Sequence, residues 1–224
     1  MKFDIGSSDT DLDDIAALTG NKGDIIVHDG SNWVDLAVGT NGQILKAASG
    51  ETEGVDWVAL PPRELYFDPA SLHATETNFA SKELVSGTNV KGFVRAFDDT
   101  TEEYVNGKFI VPSDVNTGGT VTFRAYVMAK TAVSSKNVAL TFGHVALNDS
   151  EAYDGSYTDE DSGDFAIDAT QGDLTEKTWT ETLANLGWAA SDIVYFRISR
   201  PAASANNLAD DMYLWGFKIE IPRV

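Results

Sequence analysis

Apolar and polar residues alternate along several short segments in the second half of the chain. In 121–127 and 194–198 every second residue is apolar, so each segment has one apolar face, opposite Tyr195 and Arg197 in the second case. A period of two residues is typical of a β-strand that buries one face. The last segment, 213–221, alternates in the same way. We expect its buried face to consist of Tyr213, Trp215, Phe217, Ile219 and Ile221.

Turns and polar stretches separate these segments from other strand candidates. Three further candidates follow the same reasoning: 92–97, 108–111 and 137–147. The longest polar stretch between strands is 148–164, and residues 182–187 are open to interpretation as a short helix or a loop. Six or more strands, with almost no helical pattern, predict a mainly β fold. We expect an antiparallel, jelly-roll-like β-sandwich over residues 63–224.

The first part of the chain has a different pattern. Its short apolar runs are separated by Asp-Gly at 29–30 and Asn-Gly at 41–42, which are strong hairpin signals between apolar runs. Acidic residues before the apolar segment 15–18 indicate the start of a short helix. The prolines at 61–62 end this part, because neither can donate to a strand ladder. We therefore predict a small hairpin module over residues 1–62.

A module of about sixty residues with few large apolar side chains forms a poor core of its own. Its hairpins become more stable if several copies of the chain pack their apolar faces together. We therefore predict that the module docks and oligomerises through six apolar side chains. They are Ile25, Val27, Trp33, Leu36, Leu45 and Trp57.

The charge balance excludes several classes of function. Sixteen basic residues stand against 35 acidic ones, which gives a net charge of −19. A field of this sign repels nucleic acids and anionic lipids, so we expect no nucleic-acid partner. We expect no membrane insertion, since no segment has the roughly 18–20 apolar residues of a spanning helix, and no signal peptide is recognisable. The absence of cysteine excludes disulfides and thiolate chemistry.

The segment 22–58 carries a dense set of motif residues. It reads GDIIVHDGSNWVDLAVGTNGQIL over 23–45 and GVDW over 54–57. This pattern resembles a motif of bacteriophage fibre and tail-associated proteins, which runs roughly GD-apolar-apolar-V-x-DG-x-x-W-x-x-L-x-V-G-T-x-G-Q-x-L with a G-V-x-W element after it. More loosely, 109–114 and 211–221 resemble the sandwich domains at the ends of fibres or spikes.

The resemblance implies a structural protein of a phage virion, a head or tail fibre or spike. It implies a homotrimer that is attached to other virion proteins by its N-terminal region and exposes the sandwich, after assembly in the host cytoplasm. It supplies no catalytic residues, and we expect no enzyme. Two alternatives stay open, a capsid decoration protein that stabilises the shell and a stand-alone carbohydrate-binding module. A capsule-degrading enzyme is disfavoured, because the sequence shows no catalytic constellation.

The stretch between residues 149 and 173 holds nine acidic residues and no basic one. Carboxylates are hard oxygen ligands of the kind that Ca²⁺ binds. The candidate calcium ligands are Asp154, Asp159, Asp161 and Asp164. Their spacing lacks the terminal bidentate glutamate of helix–loop–helix calcium sites, and a solvated acidic loop is the alternative. We expect no other cofactor.

Three aromatic residues lie in or beside these polar segments: Tyr153, Tyr157 and Trp179. Aromatic rings near carboxylates and amides are typical of sugar-binding surfaces, where the ring stacks on the sugar and the polar groups fix its hydroxyls. We therefore hypothesise that the region 149–179 contacts a host-surface glycan. The alternative is that these rings cap the end of the sandwich or lie at a subunit interface.

The three histidines, His28, His73 and His144, are far apart in the sequence. No pair has the close spacing of a helical zinc motif. His144 lies in an apolar segment, so we expect it to be a hydrogen-bonded core or interface residue. No serine has the Gly-x-Ser-x-Gly context of a nucleophile.

Overall fold

The computed structural model describes residues 10–74, 77–132, 136–201 and 208–224. The chain divides into two compact units, Met1–Pro61 with Val224 and Pro62–Arg223. No helix within the described ranges is long and apolar enough to cross a membrane.

The first unit contains a helix and two hairpins. Its elements are α1 (Thr10–Ala17), β1 (Ile25–His28), β2 (Trp33–Leu36), β3 (Gln43–Ala47) and β4 (Val55–Ala59). The antiparallel pairs are β1–β2 and β3–β4. In the β1–β2 turn, Gly30 has a φ of 98°, and the Asp29 carboxylate accepts hydrogen bonds from the N–H groups of Ser31 and Asn32. The Asp-Gly hairpin is therefore confirmed. The Asn-Gly turn joins no hairpin, because β2 and β3 lie in different sheets.

The second unit is a sandwich of two antiparallel sheets. The first sheet has the order β15 (Thr175–Thr182), β10 (Thr120–Ala129), β17 (Met212–Ile221), β8 (Lys91–Phe97) and β7 (Ser81–Ser86), and β5 (Arg63–Phe67) also pairs with β17. The second sheet has the order β13 (Thr158–Asp161), β12 (Thr141–Leu147), β16 (Ile193–Arg200), β9 (Glu103–Ile110) and β6 (His73–Ala74). The smaller elements are the pair β11 (Lys136–Val138) and β14 (Phe165–Ile167), a 3-10 turn at Pro69–Ser71, and helix α2 (Leu183–Leu186).

The inner faces of the two sheets meet in an aromatic core. Phe123 and Phe217 come from the first sheet, Phe142 and Phe196 from the second, and all four are fully buried. The Phe123 and Phe142 ring centres are 4.7 Å apart, and those of Phe142 and Phe196 are 5.4 Å apart. Burying each ring contributes about 1.5–3 kcal/mol. The mainly β, jelly-roll-like sandwich is confirmed, as is the alternation predicted for β10 and β16.

The last strand, β17, contains an irregularity that changes its pattern. Tyr126 of β10 pairs with Gly216, whereas the next residue, Val127, pairs with Leu214. Trp215 is therefore the extra residue of a β-bulge. An inserted residue exchanges the two faces of a strand, because side chains alternate with a period of two.

The bulge corrects the predicted buried face of β17. After the bulge the prediction holds, with Phe217, Ile219 and Ile221 fully buried. Before the bulge, Met212 and Leu214 are buried, while Tyr213 and Trp215 are half-buried on the outer face. The prediction that these two aromatic residues share the buried face is wrong.

Two other segments differ from their predicted structure. The candidate strand 137–147 is divided between β11 and β12, and at the break the N–H of Leu140 donates to Ser162 Oγ at 2.9 Å. The polar stretch 148–164 contains β13, the edge strand of the second sheet. Its charged side chains are of the kind that protects sheet edges from pairing with other chains. Residues 182–187, for which the sequence allows a short helix or a loop, contain helix α2.

Candidate functional site

The outer face of the second sheet concentrates aromatic and polar side chains. In β16, Tyr195 and Arg197 point outward because they alternate with the buried Val194, Phe196 and Ile198. The same rule applies to β9. We call this surface the tyrosine face; its members are Tyr104, Asn106 and Lys108 of β9, Tyr195 and Arg197 of β16, His73 of β6, and Tyr157, which precedes β13.

The strand register places members of the tyrosine face next to one another. Lys108 lies directly opposite Tyr195. Asn106 lies opposite Arg197 on one side and His73 on the other. Side chains directly opposite one another on antiparallel strands have Cβ atoms about 4.5–5.5 Å apart. Three neighbouring strands therefore present one continuous polar and aromatic surface.

Arg197 is held in a fixed orientation on this face. Its Nη2 donates to both carboxylate oxygens of Asp159, at 3.1 Å each. The guanidinium lies 5.0 Å from the ring centre of Tyr104 and 4.6 Å from that of Tyr157, within the range of cation–π attraction. A Cβ added at Gly143 would come within 2.7 Å of Arg197 Nε, so the arginine lies closely against the β12 backbone.

A cleft of about 260 Å³ lies between β6, β9 and β16. Its lining residues are His73, Asn106, Gly107, Lys108 and Tyr195. Tyr195 is 37% exposed, and the Lys108 ammonium group lies 5.6 Å from the centre of its ring. The cleft therefore offers an accessible aromatic ring beside several N–H and O–H donors.

Two of the three aromatic residues proposed for glycan contact lie at or near the tyrosine face. Tyr157 belongs to it, and its side chain is 36% exposed. Tyr153 is 85% exposed in the loop between β12 and β13. A Cβ added at Gly155 would come within 2.7 Å of Val145 Cγ2 in β12, so this loop passes close to the outer face of the same sheet.

Trp179 is not part of this surface. Its ring stacks on Phe123 with 5.3 Å between ring centres and lies 6.1 Å from that of Phe217. The interpretation that it lies in or beside a polar loop is wrong, because it belongs to β15 and packs against the core. The strand is hard to recognise because the residues that share its inner face, such as Lys177 and Glu181, are polar.

Sequence reasoning missed most of the tyrosine face. It placed Tyr195 and Arg197 on the polar face of a strand, but that pattern is equally typical of a plain solvated surface. Tyr104, Asn106 and Lys108 belong to a strand whose first half was not predicted. The usable signal is an outward tyrosine in β9 and another in β16, which indicate a shared surface only once the strand order is known.

The proposed calcium ligands do not form a metal site in the described part of the chain. The Asp159 carboxylate forms an ion pair with Arg197. The Asp161 carboxylate accepts a hydrogen bond from Thr141 Oγ1 at 2.7 Å. Asp154 and Asp164 join no group of three or more His, Cys, Asp or Glu side chains that could hold a metal ion, as far as the described residues go. Calcium binding stays a prediction without geometric support.

A second polar cluster contains two glutamates and a histidine. The carboxyl groups of Glu160 in β13 and Glu181 in β15 share a hydrogen bond, and burial together with this second carboxylate raises the pKa of Glu160. His144 Nε2 lies 3.8 Å from Glu160 Oε1, and its Nδ1 accepts a hydrogen bond from Trp188 Nε1 at 3.2 Å. Burial lowers the pKa of His144 to about 4. The predicted hydrogen-bonded core histidine is confirmed.

A larger cleft, of about 450 Å³, lies on the outer face of the first sheet. Its lining residues are Val85, Gly87, Val90, Met128, Gly172, Leu174 and Trp215. These side chains offer apolar contact. A binding site also needs a few placed polar groups to orient a ligand, and the tyrosine face has them.

The six side chains predicted to mediate oligomerisation keep accessible surface. None of residues 13–61 is fully buried. Ile25 pairs with Leu36 across the first hairpin, and Leu45 pairs with Trp57 across the second. Leu45 is still 41% exposed. The two hairpins therefore bring apolar side chains together without removing them from water.

Several residues of the motif in segment 22–58 close loops within the first unit. The Asp24 carboxylate accepts a hydrogen bond from the N–H of Val38 at 2.9 Å. Trp57 Nε1 donates to the carbonyl of Ala37 at 2.9 Å. A Cβ added at Gly39 would lie 2.7 Å from the Trp57 ring, so this position needs glycine. The motif thus specifies the local structure of the module.

Comparisons with known proteins give structural likenesses and no family. No family model matches the sequence, and no curated protein matches it. A family 35 carbohydrate-binding module from Clostridium thermocellum aligns with a TM-score of 0.45 at 11% identity, covering 70% of this chain and 97% of that chain. A family 35 carbohydrate-binding module from Cellvibrio japonicus aligns with a TM-score of 0.41 at 8% identity, covering 70% of this chain and 92% of that chain. A xylan-binding domain from Paenibacillus barcinonensis aligns with a TM-score of 0.41 at 12% identity, covering 75% of this chain and 99% of that chain.

Proposed function

We propose that the sandwich is a carbohydrate-binding domain and that the tyrosine face is its ligand surface. The supporting observation is one sheet face that carries three tyrosine rings, fixed polar side chains and a cleft beside Tyr195. The C–H faces of a sugar ring pack on aromatic rings, while its hydroxyl groups need hydrogen-bond partners. Tyr195 offers the ring, and Asn106 and His73 offer polar atoms next to it.

The fixed position of Arg197 favours binding further. Asp159 and the rings of Tyr104 and Tyr157 hold its guanidinium in place before any ligand arrives. A side chain that is already ordered loses less conformational entropy on binding. The N–H groups of Nη1 are suited to donate to sugar hydroxyls that lie across the face, whereas Nε is buried.

The proposed function is binding without cleavage. Glycosidases hold two carboxyl groups about 5–10 Å apart, with the glycosidic bond or a water molecule between them. Glu160 and Glu181 are directly hydrogen-bonded to each other, which leaves no such space. A reducing-sugar assay on each bound polysaccharide tests this point, and release of reducing ends would contradict it.

The first test is a pair of tyrosine substitutions. A glycan array identifies ligands, and calorimetry then compares Tyr195→Ala with the unchanged protein. We expect about a tenfold weaker Kd, because one aromatic stacking contact contributes about 1 kcal/mol or more. Tyr66→Ala is the matched control, since Tyr66 is 62% exposed on the first sheet. Equal effects of the two substitutions, or the absence of any glycan ligand, would reject the proposal.

We also propose that the first unit attaches the protein to a virion, as the fibre-type motif implies. The supporting observation is that none of residues 13–61 is fully buried although the hairpins carry Ile25, Trp33 and Leu45. Contact with the other copies of a homotrimeric fibre, or with other virion proteins, would cover these side chains. In such a particle the chain is a head or tail fibre or spike that presents a glycan-binding sandwich, and a shell decoration protein is the alternative.

The test of attachment measures mass and location. Light scattering of the unchanged protein should give the mass of a trimer, and the double variant Ile25→Asp, Trp33→Asp should give the mass of a monomer. Leu84→Asp is the matched control, because Leu84 is an apolar residue of the sandwich that is 56% exposed. A single chain at every concentration would reject the oligomer. Antibody labelling of intact particles separates a fibre, a decorated shell and a protein outside the virion.

A further inference from the structure

We infer that the cleft of the tyrosine face binds a sugar that bears a carboxylate, such as a uronic acid, in preference to a neutral sugar. This inference rests on the proposed carbohydrate-binding function and specifies its ligand class. It depends on the charges that line the cleft between β6, β9 and β16.

The lining of the cleft differs in charge from the rest of the chain. Lys108 and His73 face it together with the neutral donors Asn106 and Tyr195, and none of the described lining residues is an aspartate or glutamate. The chain as a whole has a net charge of −19, with 35 acidic residues. Because its described lining carries a lysine and no carboxylate, this cleft suits an anionic group better than the acidic surface of the chain as a whole does.

The cationic side chains on the surface of the sandwich are of two kinds. Six form ion pairs with carboxylates: Arg63, Arg124, Lys130, Arg197, Lys218 and Arg223. Lys108 belongs to the five that form none with any described residue, and it is the one that lines the cleft, with its ammonium group over the Tyr195 ring at 5.6 Å. A ligand carboxylate would give Lys108 the ion pair that these six cations find within the protein.

The position of the ammonium group fits a sugar stacked on the ring beside it. Lys108 and Tyr195 are directly opposite on neighbouring strands, so a substituent at the edge of a stacked sugar lies within reach of the lysine. The cleft volume of about 260 Å³ is below the range of pockets for drug-sized ligands. It therefore suits one sugar ring of a longer chain, with its carboxylate directed at Lys108.

The experiment compares acidic oligosaccharides with their carboxyl-reduced counterparts. The probes are oligomers from polygalacturonate, alginate, hyaluronan and polysialic acid, each also in the form in which the carboxylate has been reduced to a hydroxymethyl group. Calorimetry should find at least one acidic oligomer that binds ten times more tightly than its reduced form. Lys108→Gln should remove that difference, and Lys108→Arg should retain most of it.

The control variant is Lys91→Gln, which removes the same charge from an exposed position on β8. It should leave both affinities unchanged. Thermal midpoints of all variants show whether each is folded. If neutral and acidic forms bind equally and Lys108→Gln changes neither, the inference is overturned while carbohydrate binding stands. If no probe binds but neutral glycans do on the array, the inference is again overturned alone. If nothing binds in either assay, both proposals fail.

Discussion

The two units of the chain are stabilised in different ways. In the sandwich, two sheets enclose fully buried rings such as Phe142 and Phe217, and almost every second residue of its central strands is removed from water. In the first unit, none of residues 13–61 is fully buried, and polar side chains such as Asp24 and Asp29 hold the turns. The strands of both units pair in an antiparallel way, so the difference lies in burial.

This difference indicates what each unit needs. Burial of a single large apolar side chain contributes about 1.5–3 kcal/mol, whereas a hydrogen bond contributes about 0.5–1.5 kcal/mol net. A unit held by turns alone is marginal, since isolated two-stranded hairpins are barely stable in water. The sandwich carries its own core, while the first unit gains most from a partner that covers its apolar side chains.

The strongest way to break the comparison is to remove a core ring. Phe217→Ala deletes a side chain that is fully buried among the rings of Phe67, Phe142 and Trp179. We expect the free energy of unfolding of the sandwich to fall by about 3–5 kcal/mol, because the cavity adds to the lost burial. Urea denaturation measures it. Trp57→Ala in the first unit should leave this transition unchanged. Equal effects of the two substitutions would contradict the conclusion that the sandwich is stabilised by its own core, separately from the first unit.

The next largest effect concerns a buried cation. Arg200 is 1% exposed, and its guanidinium donates to the carbonyls of Phe97, Leu208 and Asp210. Arg200→Met leaves these carbonyls without donors, so we expect a loss of about 3 kcal/mol in the free energy of unfolding. Arg200→Lys keeps the charge but loses the planar guanidinium, so its free energy of unfolding should lie between those of the unchanged protein and Arg200→Met. A methionine variant as stable as the unchanged protein would show that water replaces the guanidinium.

The pH dependence of the sandwich should reflect His144. Its pKa is lowered from 6.5 to about 4 because burial disfavours the charged ring. The unfolded chain therefore takes up a proton first, and stability present above pH 6.5 is lost as the pH falls toward 4. The expected loss between pH 7 and pH 5 is about 2 kcal/mol.

The variant His144→Phe isolates this contribution. It removes the acceptor of the Trp188 indole N–H, so it lowers stability at pH 7. The decrease between pH 7 and pH 5 should nevertheless become smaller by about 2 kcal/mol, because the titrating ring is gone. Urea midpoints at the two pH values measure the change. An unaltered decrease in the variant would assign the pH dependence to other groups.

The sandwich was predictable from the sequence wherever alternation is unbroken. In β10 and in residues 194–198 of β16 every inward residue is apolar, and the predicted faces are the observed ones. In β17 one bulged residue, Trp215, exchanges the faces, and no pattern of apolar residues marks such an insertion. In β15 the inward positions around Trp179 are polar, so the strand resembles a loop in sequence.

The tyrosine face was less predictable, because it depends on strand order. Tyr157 could be proposed as an aromatic residue in an acidic stretch. Tyr104 and Tyr195 are 91 positions apart in the sequence, and their placement on one sheet face follows from the pairing of β9 with β16. Pairing partners of this kind are set by the whole core, which local patterns do not encode. The sequence therefore indicates candidate residues one by one, and the register assembles them into a surface.

The smallest expected effect is confined to the first unit. Asp24→Ala removes the carboxylate that accepts hydrogen bonds from the N–H groups of Asn21 and Val38. Because these bonds favour the ionised form, they lower the pKa of Asp24. Hydrogen exchange at both amides should accelerate in the variant, while the urea transition of the sandwich stays the same. The same amides should lose protection in the unchanged protein when acid protonates Asp24. Asp56→Ala, an exposed carboxylate of β4, is the control, and equal acceleration there would show that the module responds to charge rather than to this contact.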